Sequence, residues 1–250
     1  MGERIRIRTS RRGRALEIDG TFASFVPHVG VATGSVWDAL VAPLLALPPA
    51  RRRSVLILGL GGGSAARIVR AIAPAARIVG VELDRGVVAA ARRHFDLDAL
   101  GVEIVCDDAR AVLTRERRRF DLVIDDVFVG QGRAVHKPAW LPVPFLALAA
   151  RRLAVGGVLV SNSIDEAPAV LREMRALCPH LLELRIDGYD NRIFAGRTQP
   201  LDARTLRVAI ADEGTLAPTL GRLALRGVAA AHRASRLPPA RPPRAPVPAR

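Results

Sequence analysis

The feature that most constrains the fold is Val55-Leu56-Ile57-Leu58 running without a break into Gly59-Leu60-Gly61-Gly62-Gly63 and then into a helical pattern from Ser64. An unbroken aliphatic run reads as a strand buried on both faces, which is the habit of parallel sheets covered by crossover helices. Glycines directly after it supply positive φ angles and let the backbone approach a ligand. The N-terminus of the helix that follows adds backbone N–H groups pointing the same way. Gly59, Gly61, Gly62 and Gly63 are therefore the first candidate ligand-binding residues.

The rest of the chain fits the sheet this turn demands. Short β-branched runs alternate with helical patterns from about residue 35 to 197, the mark of a parallel α/β sheet. Strands are expected at 54–59, 77–82, 102–106, 122–126, 158–161, 182–186 and 192–195. Helices are expected at 64–73, 85–94 and 166–177, with a leading helix at 36–47 that ends at Pro48-Pro49. A turn at Asp187-Gly188 makes the last two strands an antiparallel edge hairpin. The predicted fold class is α/β: a doubly wound, Rossmann-like, seven-stranded and mostly parallel sheet.

Residues 1–34 alternate apolar and polar side chains, with turn signals at Arg12-Gly13 and Asp19-Gly20, and read as a small β-hairpin or three-stranded meander. The nucleotide-binding unit is placed at 35–200. A C-terminal helical extension is placed at 201–235, its amphipathic stretch running from 213 to 232. Proline, alanine and arginine dominate 236–250, a composition expected to stay disordered and to be dispensable.

Composition excludes several classes. Cys106 and Cys178 lie in separate apolar runs, so neither a disulfide framework nor a metal site is expected. Arg151 and Arg152 interrupt the longest apolar region, which leaves no membrane span. The basic N-terminus leads into no apolar secretion signal, and a cytoplasmic setting is expected. A net charge of +14 raises the question of nucleic acid, but arginine-rich ends and a 4% aromatic content leave few stacking platforms.

Three acidic positions refine the ligand. Glu82 ends the next strand about twenty residues after the glycines, where a carboxylate accepts both hydroxyls of a ribose. The glycine turn lacks the lysine and Ser/Thr of a P-loop, which counts against nucleoside triphosphate hydrolysis. A dinucleotide would fit the glycines and Glu82. Against it stands Asp108, just past the third strand, where a carboxylate can accept a hydrogen bond from an adenine amino group. Gly, Glu and Asp at three successive strand ends make a cradle for adenosine without phosphate.

The fourth strand ends in Asp125-Asp126, and alternation places these on opposite sides, so one of them faces the cleft. A carboxylate there would stabilise a sulfonium cation and take a proton from a nucleophile. His136 and Lys137 follow in a loop able to cover the cleft, while Phe128 and Trp140 suit its wall.

Together with Leu16-Glu17-Ile18-Asp19-Gly20, Val81-Glu82-Leu83-Asp84, Asp108-Ala109-Arg110, Phe120-Asp121-Leu122-Val123-Ile124-Asp125-Asp126 and Leu153-Ala154-Val155-Gly156-Gly157-Val158-Leu159, the glycine turn resembles the spermidine synthase-like proteins of the class I S-adenosylmethionine-dependent methyltransferase fold. The resemblance spans about residues 15–197. It implies that Glu82 holds the ribose, that Asp108 with Ala109 holds the adenine, and that Asp126 is the catalytic aspartate. It also implies a transferase that uses S-adenosylmethionine or its decarboxylated form, without a metal. A small-molecule acceptor is expected ahead of nucleic acid, a homodimer is compatible, and no membrane partner is expected.

Two departures bear on the acceptor. Val127-Phe128-Val129-Gly130 stands where aminopropyltransferases carry a second aspartate and a proline, and Val36-Trp37-Asp38 replaces a Tyr-His-Glu signature. With one anionic anchor gone, spermidine formation from putrescine should be weak or absent unless Asp125, Asp165 or Glu166 substitutes. The alternatives are an RNA or protein methyltransferase and a non-catalytic nucleotide-binding or scaffold module.

Overall fold

The computed structural model describes residues 4–229, so the expectations for the tail at 236–250 lie outside the described residues. The chain opens with β1 (Ile5–Thr9), β2 (Gly13–Ile18) and β3 (Thr21–Pro27), an antiparallel three-stranded sheet. The β2–β3 turn uses Asp19 at φ 48° and Gly20 at φ 77°, the paired left-handed conformation that Asp-Gly tolerates. The N-terminal region is thus the meander.

Helix α1 (Val36–Val41) is shorter than the expected 36–47 because Pro43 lacks the N–H needed to continue it; residues 42–46 tighten into a 3-10 turn. Then follow β4 (Ser54–Leu58), α2 (Ser64–Ile72), β5 (Arg77–Glu82), α3 (Arg85–Phe95), β6 (Val102–Cys106), α4 (Ala109–Arg115) and β7 (Phe120–Asp125). The chain continues through α5 (Phe145–Ala150), β8 (Leu153–Ser163), α6 (Ala167–Leu177), β9 (His180–Ile186) and β10 (Arg192–Arg197). It closes with α7 (Ala203–Glu213) and β11 (Leu223–Val228).

The main sheet has eight strands in the order β11-β9-β10-β8-β7-β4-β5-β6. Strands β4 to β8 are parallel, and β10, β9 and β11 pair antiparallel beyond β8. The eighth strand corrects the seven-stranded expectation and the helical reading of the 201–235 extension. Helix α7 ends at Gly214, whose φ is 88°, and Pro218 and Gly221 then interrupt the run expected to be helical. The chain instead reaches the open edge of β9, where Leu223 to Val228 pair with Ile186 to Leu181.

Alternation along the strands divides the core between the two faces of the sheet. Ile57, Ile124 and Val160 pack with Leu40 of α1, Ile68 of α2 and Ile210 of α7. Leu58, Val123 and Leu159 pack with Leu113 of α4, Phe145 of α5 and Met174 of α6. Among the described residues no helix is long and apolar enough to cross a membrane.

Asp38 ties this scaffold together. Its buried carboxylate accepts from Thr33 N at 2.9 Å, Thr33 Oγ1 at 2.6 Å, Gly34 N at 2.8 Å and, from the far end of the chain, Thr219 Oγ1 at 2.5 Å. Removing it would leave buried donors unpaired, so Asp38→Ala should lower unfolding free energy by about 2–4 kcal/mol, read from denaturant midpoints.

Candidate active site

The order of the parallel strands reverses between β4 and β7, where open α/β sheets bind ligands. Gly59 turns away from β4 at φ 86°, and a Cβ there would sit 2.5 Å from the Asp126 carbonyl oxygen. Only glycine lets the two strand ends lie so close. A cavity of about 550 Å³ opens at this point, with Gly59, Gly61, Glu82, Asp108, Ala109 and Asp126 in its wall.

Gly62 and Gly63 do not line the cavity. Gly62 N donates to Ser24 Oγ of β3 at 2.6 Å, Gly63 N donates to Leu60 O at 3.0 Å, and Ser64 Oγ bridges both backbone groups of Phe25. These residues fasten the N-terminal sheet to the start of α2. The N–H groups of Gly61, Gly62 and Gly63, expected to face a ligand, are taken up inside the protein.

Glu82 accepts from Gly61 N at 2.9 Å through one oxygen and from Asp84 N at 3.1 Å through the other. Burial raises its pKa, and the two N–H groups partly offset that rise. Each oxygen keeps a lone pair for a ligand hydroxyl. Asp108 caps α4 by accepting from Ala111 N at 2.9 Å through Oδ1, while the neighbouring Asp107 pairs with Arg115 at 2.5 Å.

The two aspartates ending the fourth strand have opposite fates. Asp125 is fully buried and holds Lys137 Nζ at 3.1 Å from both oxygens, with Ser161 Oγ at 2.7 Å. Lys137, expected in a loop over the cleft, is itself buried, its ammonium 4.2 Å from the Phe128 ring centre. Asp126 is the one that faces the cavity. Its Oδ1 accepts from Asn162 Nδ2 at 2.8 Å, and burial, the largest influence, pushes its pKa up to about 6 against lowering by Asn162 and Lys137.

Sequence reasoning missed Asn162, Asn191 and Tyr189, all in the cavity wall. Asn191 Nδ2 donates to Asn162 Oδ1 at 2.9 Å, completing a chain from the β9–β10 hairpin to Asp126. The available signal was a polar Ser161-Asn162-Ser163 end on an otherwise apolar strand, at the edge where ligands bind. His136 is exposed and bonds Ala134 O. Asp38, the surviving acid of the altered signature, is structural, and the adjacent Trp37 lines the cavity instead. Among the described residues no cluster of three or more His, Cys, Asp or Glu could hold a metal.

Residues 55–157 match a family model described as a methyltransferase domain. The chain is 32% identical over 132 residues to a probable polyamine aminopropyl transferase of Bifidobacterium longum, covering 52% of this chain and 28% of the relative. It is 31% identical over 160 residues to polyamine aminopropyltransferase 2 of Pseudomonas aeruginosa, covering 61% of this chain and 44% of the relative. The chain thus spans less than half the length of these curated relatives. Among solved structures, a probable spermidine synthase from Corynebacterium glutamicum superposes with a TM-score of 0.70 at 26% identity, covering 84% of this chain and 82% of that one. The chain therefore carries the class I S-adenosylmethionine-dependent methyltransferase fold. Within that fold it is similar to the polyamine aminopropyltransferases and the probable spermidine synthase just named.

A carboxylate whose pKa is raised on folding is a load above the folded value and none below the unfolded one. Asp126→Asn keeps an acceptor for Asn162 and should stabilise the protein at about pH 8 by about 1–3 kcal/mol, with the gain gone below about pH 4, in paired denaturation curves. Lys137→Met strands the Asp125 charge and should cost about 3–5 kcal/mol by the same measurement.

Proposed function

We propose that this chain transfers an aminopropyl or methyl group from an adenosyl sulfonium donor to a small amine. The observation that carries the reading is one cavity walled at successive strand ends by Gly59 and Gly61, Glu82, Asp108 with Ala109, and Asp126. In this reading Glu82 holds the ribose hydroxyls, Asp108 and Ala109 hold the adenine, and Asp126 stands at the sulfonium end. The names of the relatives, two aminopropyltransferases and a spermidine synthase, point to the same chemistry.

Electrostatics favour the decarboxylated donor. Glu82, Asp107, Asp108 and Asp126 all line the cavity, and no described lining residue is Lys, Arg or His. Asp107 is paired with Arg115, and Asp126 stands at the sulfonium end, so the extra carboxylate of S-adenosylmethionine would meet like charge there, whereas the decarboxylated donor brings its ammonium without it. Asp126, half-buried and ionised above about pH 6, then has the position and basicity to take a proton from the incoming amine.

The test is calorimetry against S-adenosylmethionine, decarboxylated S-adenosylmethionine and methylthioadenosine, followed by product mass. Aminopropyl transfer releases methylthioadenosine and methyl transfer releases adenosylhomocysteine. Glu82→Gln should weaken donor binding by about 1–3 kcal/mol, the scale for charge-assisted hydrogen bonds. Absence of binding by the unaltered chain would instead support a non-catalytic module.

A further inference from the structure

The two halves of the cavity differ in chemistry. Acids cluster at the end near β5 and β6, where Glu82, Asp107 and Asp108 lie. Beyond Asp126 the wall is formed by Phe22, Trp37, Val129, Ile164 and Tyr189, with Asn162 and Asn191 as the amides. Phe22 and Trp37 meet edge to face with ring centres 5.1 Å apart, and Trp37 also helps hold the Asp126 charge. Phe22 and Val129 are about 41% and 40% exposed, so both stand at the mouth rather than in the core.

Acids that could hold a second positive charge at this end are engaged elsewhere or absent from the wall. Asp38 is enclosed by Thr33, Gly34 and Thr219, Asp125 is neutralised by Lys137, and Glu166, whose Oε1 accepts from Lys137 N at 2.8 Å and whose Oε2 is buried without a partner, does not line the cavity. Asp165 does not line the cavity, and Asp190, although flanked by Tyr189 and Asn191, is exposed and outside the lining. The roof is held in place as well. Gly132 N donates to Asp19 O at 3.0 Å, and Val129 and His136 exchange backbone hydrogen bonds of 2.8 Å. Gly130 sits between them at φ 96°, where a Cβ would be 2.4 Å from Ala134 O, so this tight turn sets where Val129 points.

Resting on the transferase reading above, we propose that the acceptor is a monoamine: one primary amino group on an apolar, aromatic body, with diamines and polyamines rejected. Asp126 pairs with the single ammonium and the Phe22–Trp37 pair supplies aromatic edges and faces for both the cation and the ring. A second ammonium would lie against Val129 and Ile164 with no counter-charge, a penalty that no interaction on this wall offsets. In the transfer, Asp126 accepts a proton from the ammonium and the freed nitrogen lone pair attacks the carbon next to sulfur. The N–C bond forms as the C–S bond breaks, its electron pair stays on the neutral thioether, the new secondary ammonium keeps its charge, and the proton taken by Asp126 passes to solvent.

The experiment uses the full chain with each donor in turn and phenethylamine, putrescine and spermidine as acceptors, with alkylated products identified by mass. Phenethylamine should exceed putrescine and spermidine in kcat/KM by about tenfold or more. Phe22→Ala, at an exposed position, should raise KM for phenethylamine by a larger factor than KM for putrescine. Val129→Asp should raise putrescine turnover and narrow the ratio. Putrescine or spermidine used as well as phenethylamine would overturn the proposal. So would donor binding by calorimetry with no phenethylamine alkylated, which leaves the donor cradle standing. Failure to bind any donor overturns the transferase reading and the acceptor proposal with it.

Discussion

The contact between Gly59 and the backbone of Asp126 is the constraint on which the rest of the site depends. Asp126 N donates to Leu58 O at 2.8 Å, extending the β4–β7 pairing one residue past the strands. A side chain at 59 would collide with the carbonyl that follows. Because the strands meet so closely at the switch point, the glycine turn leaves toward β5 and puts Glu82 against Gly61 N. The same closeness lifts Asp126 to the floor of the cavity. Neither acid reaches its place by its own side-chain preference; both are carried there by the sheet register.

The N-terminal meander is a working part of this arrangement. Ser24 and Phe25 of β3 take up the polar groups of Gly62 and Ser64, so one of the four glycines and the first residue of α2 serve the joint between sheets. That joint brings Phe22 to the cavity mouth and the Asp19 carbonyl to the loop after β7. A small sheet with little core of its own, Leu16, Val87 and Phe95 being its fully buried centre, thereby forms one wall of a site belonging to the larger sheet.

Local patterns carried much of this. The strand-glycine-helix run, Glu82 at the next strand end, Asp108 as a cap and the opposed facing of Asp125 and Asp126 all follow from short-range periodicity and turn chemistry. What escaped depends on long-range pairing. Strand β11 could not be read because Leu223 to Val228 contains Ala224 and Gly227, poor strand formers that pair because β9 offers an open edge. Lys137 looks like a solvated loop residue until the fold places it 3.1 Å from Asp125, twelve positions earlier. Asn162 and Asn191 acquire meaning only through the pairing of β8 with β10, which sets them side by side.

The division of labour between the adjacent aspartates is the point at which fold becomes chemistry. Strand alternation forces one carboxylate to each face of the sheet, and the one buried beneath takes the lysine. Had Lys137 paired with Asp126 directly, the carboxylate would be held well into its ionised form and would be a weak base. Lys137 instead acts on Asp126 through its field alone, which the charge of Asp125 opposes. Asn162, a neutral donor steadied by Asn191, fixes the direction of Asp126 without neutralising it. A half-buried, oriented carboxylate without a paired cation is costly for folding, and the same property makes it seek a cation. In the proposed reaction, one such charge in an aromatic wall matches one ammonium, and the apolar surface around it is the remaining basis for telling one amine from another.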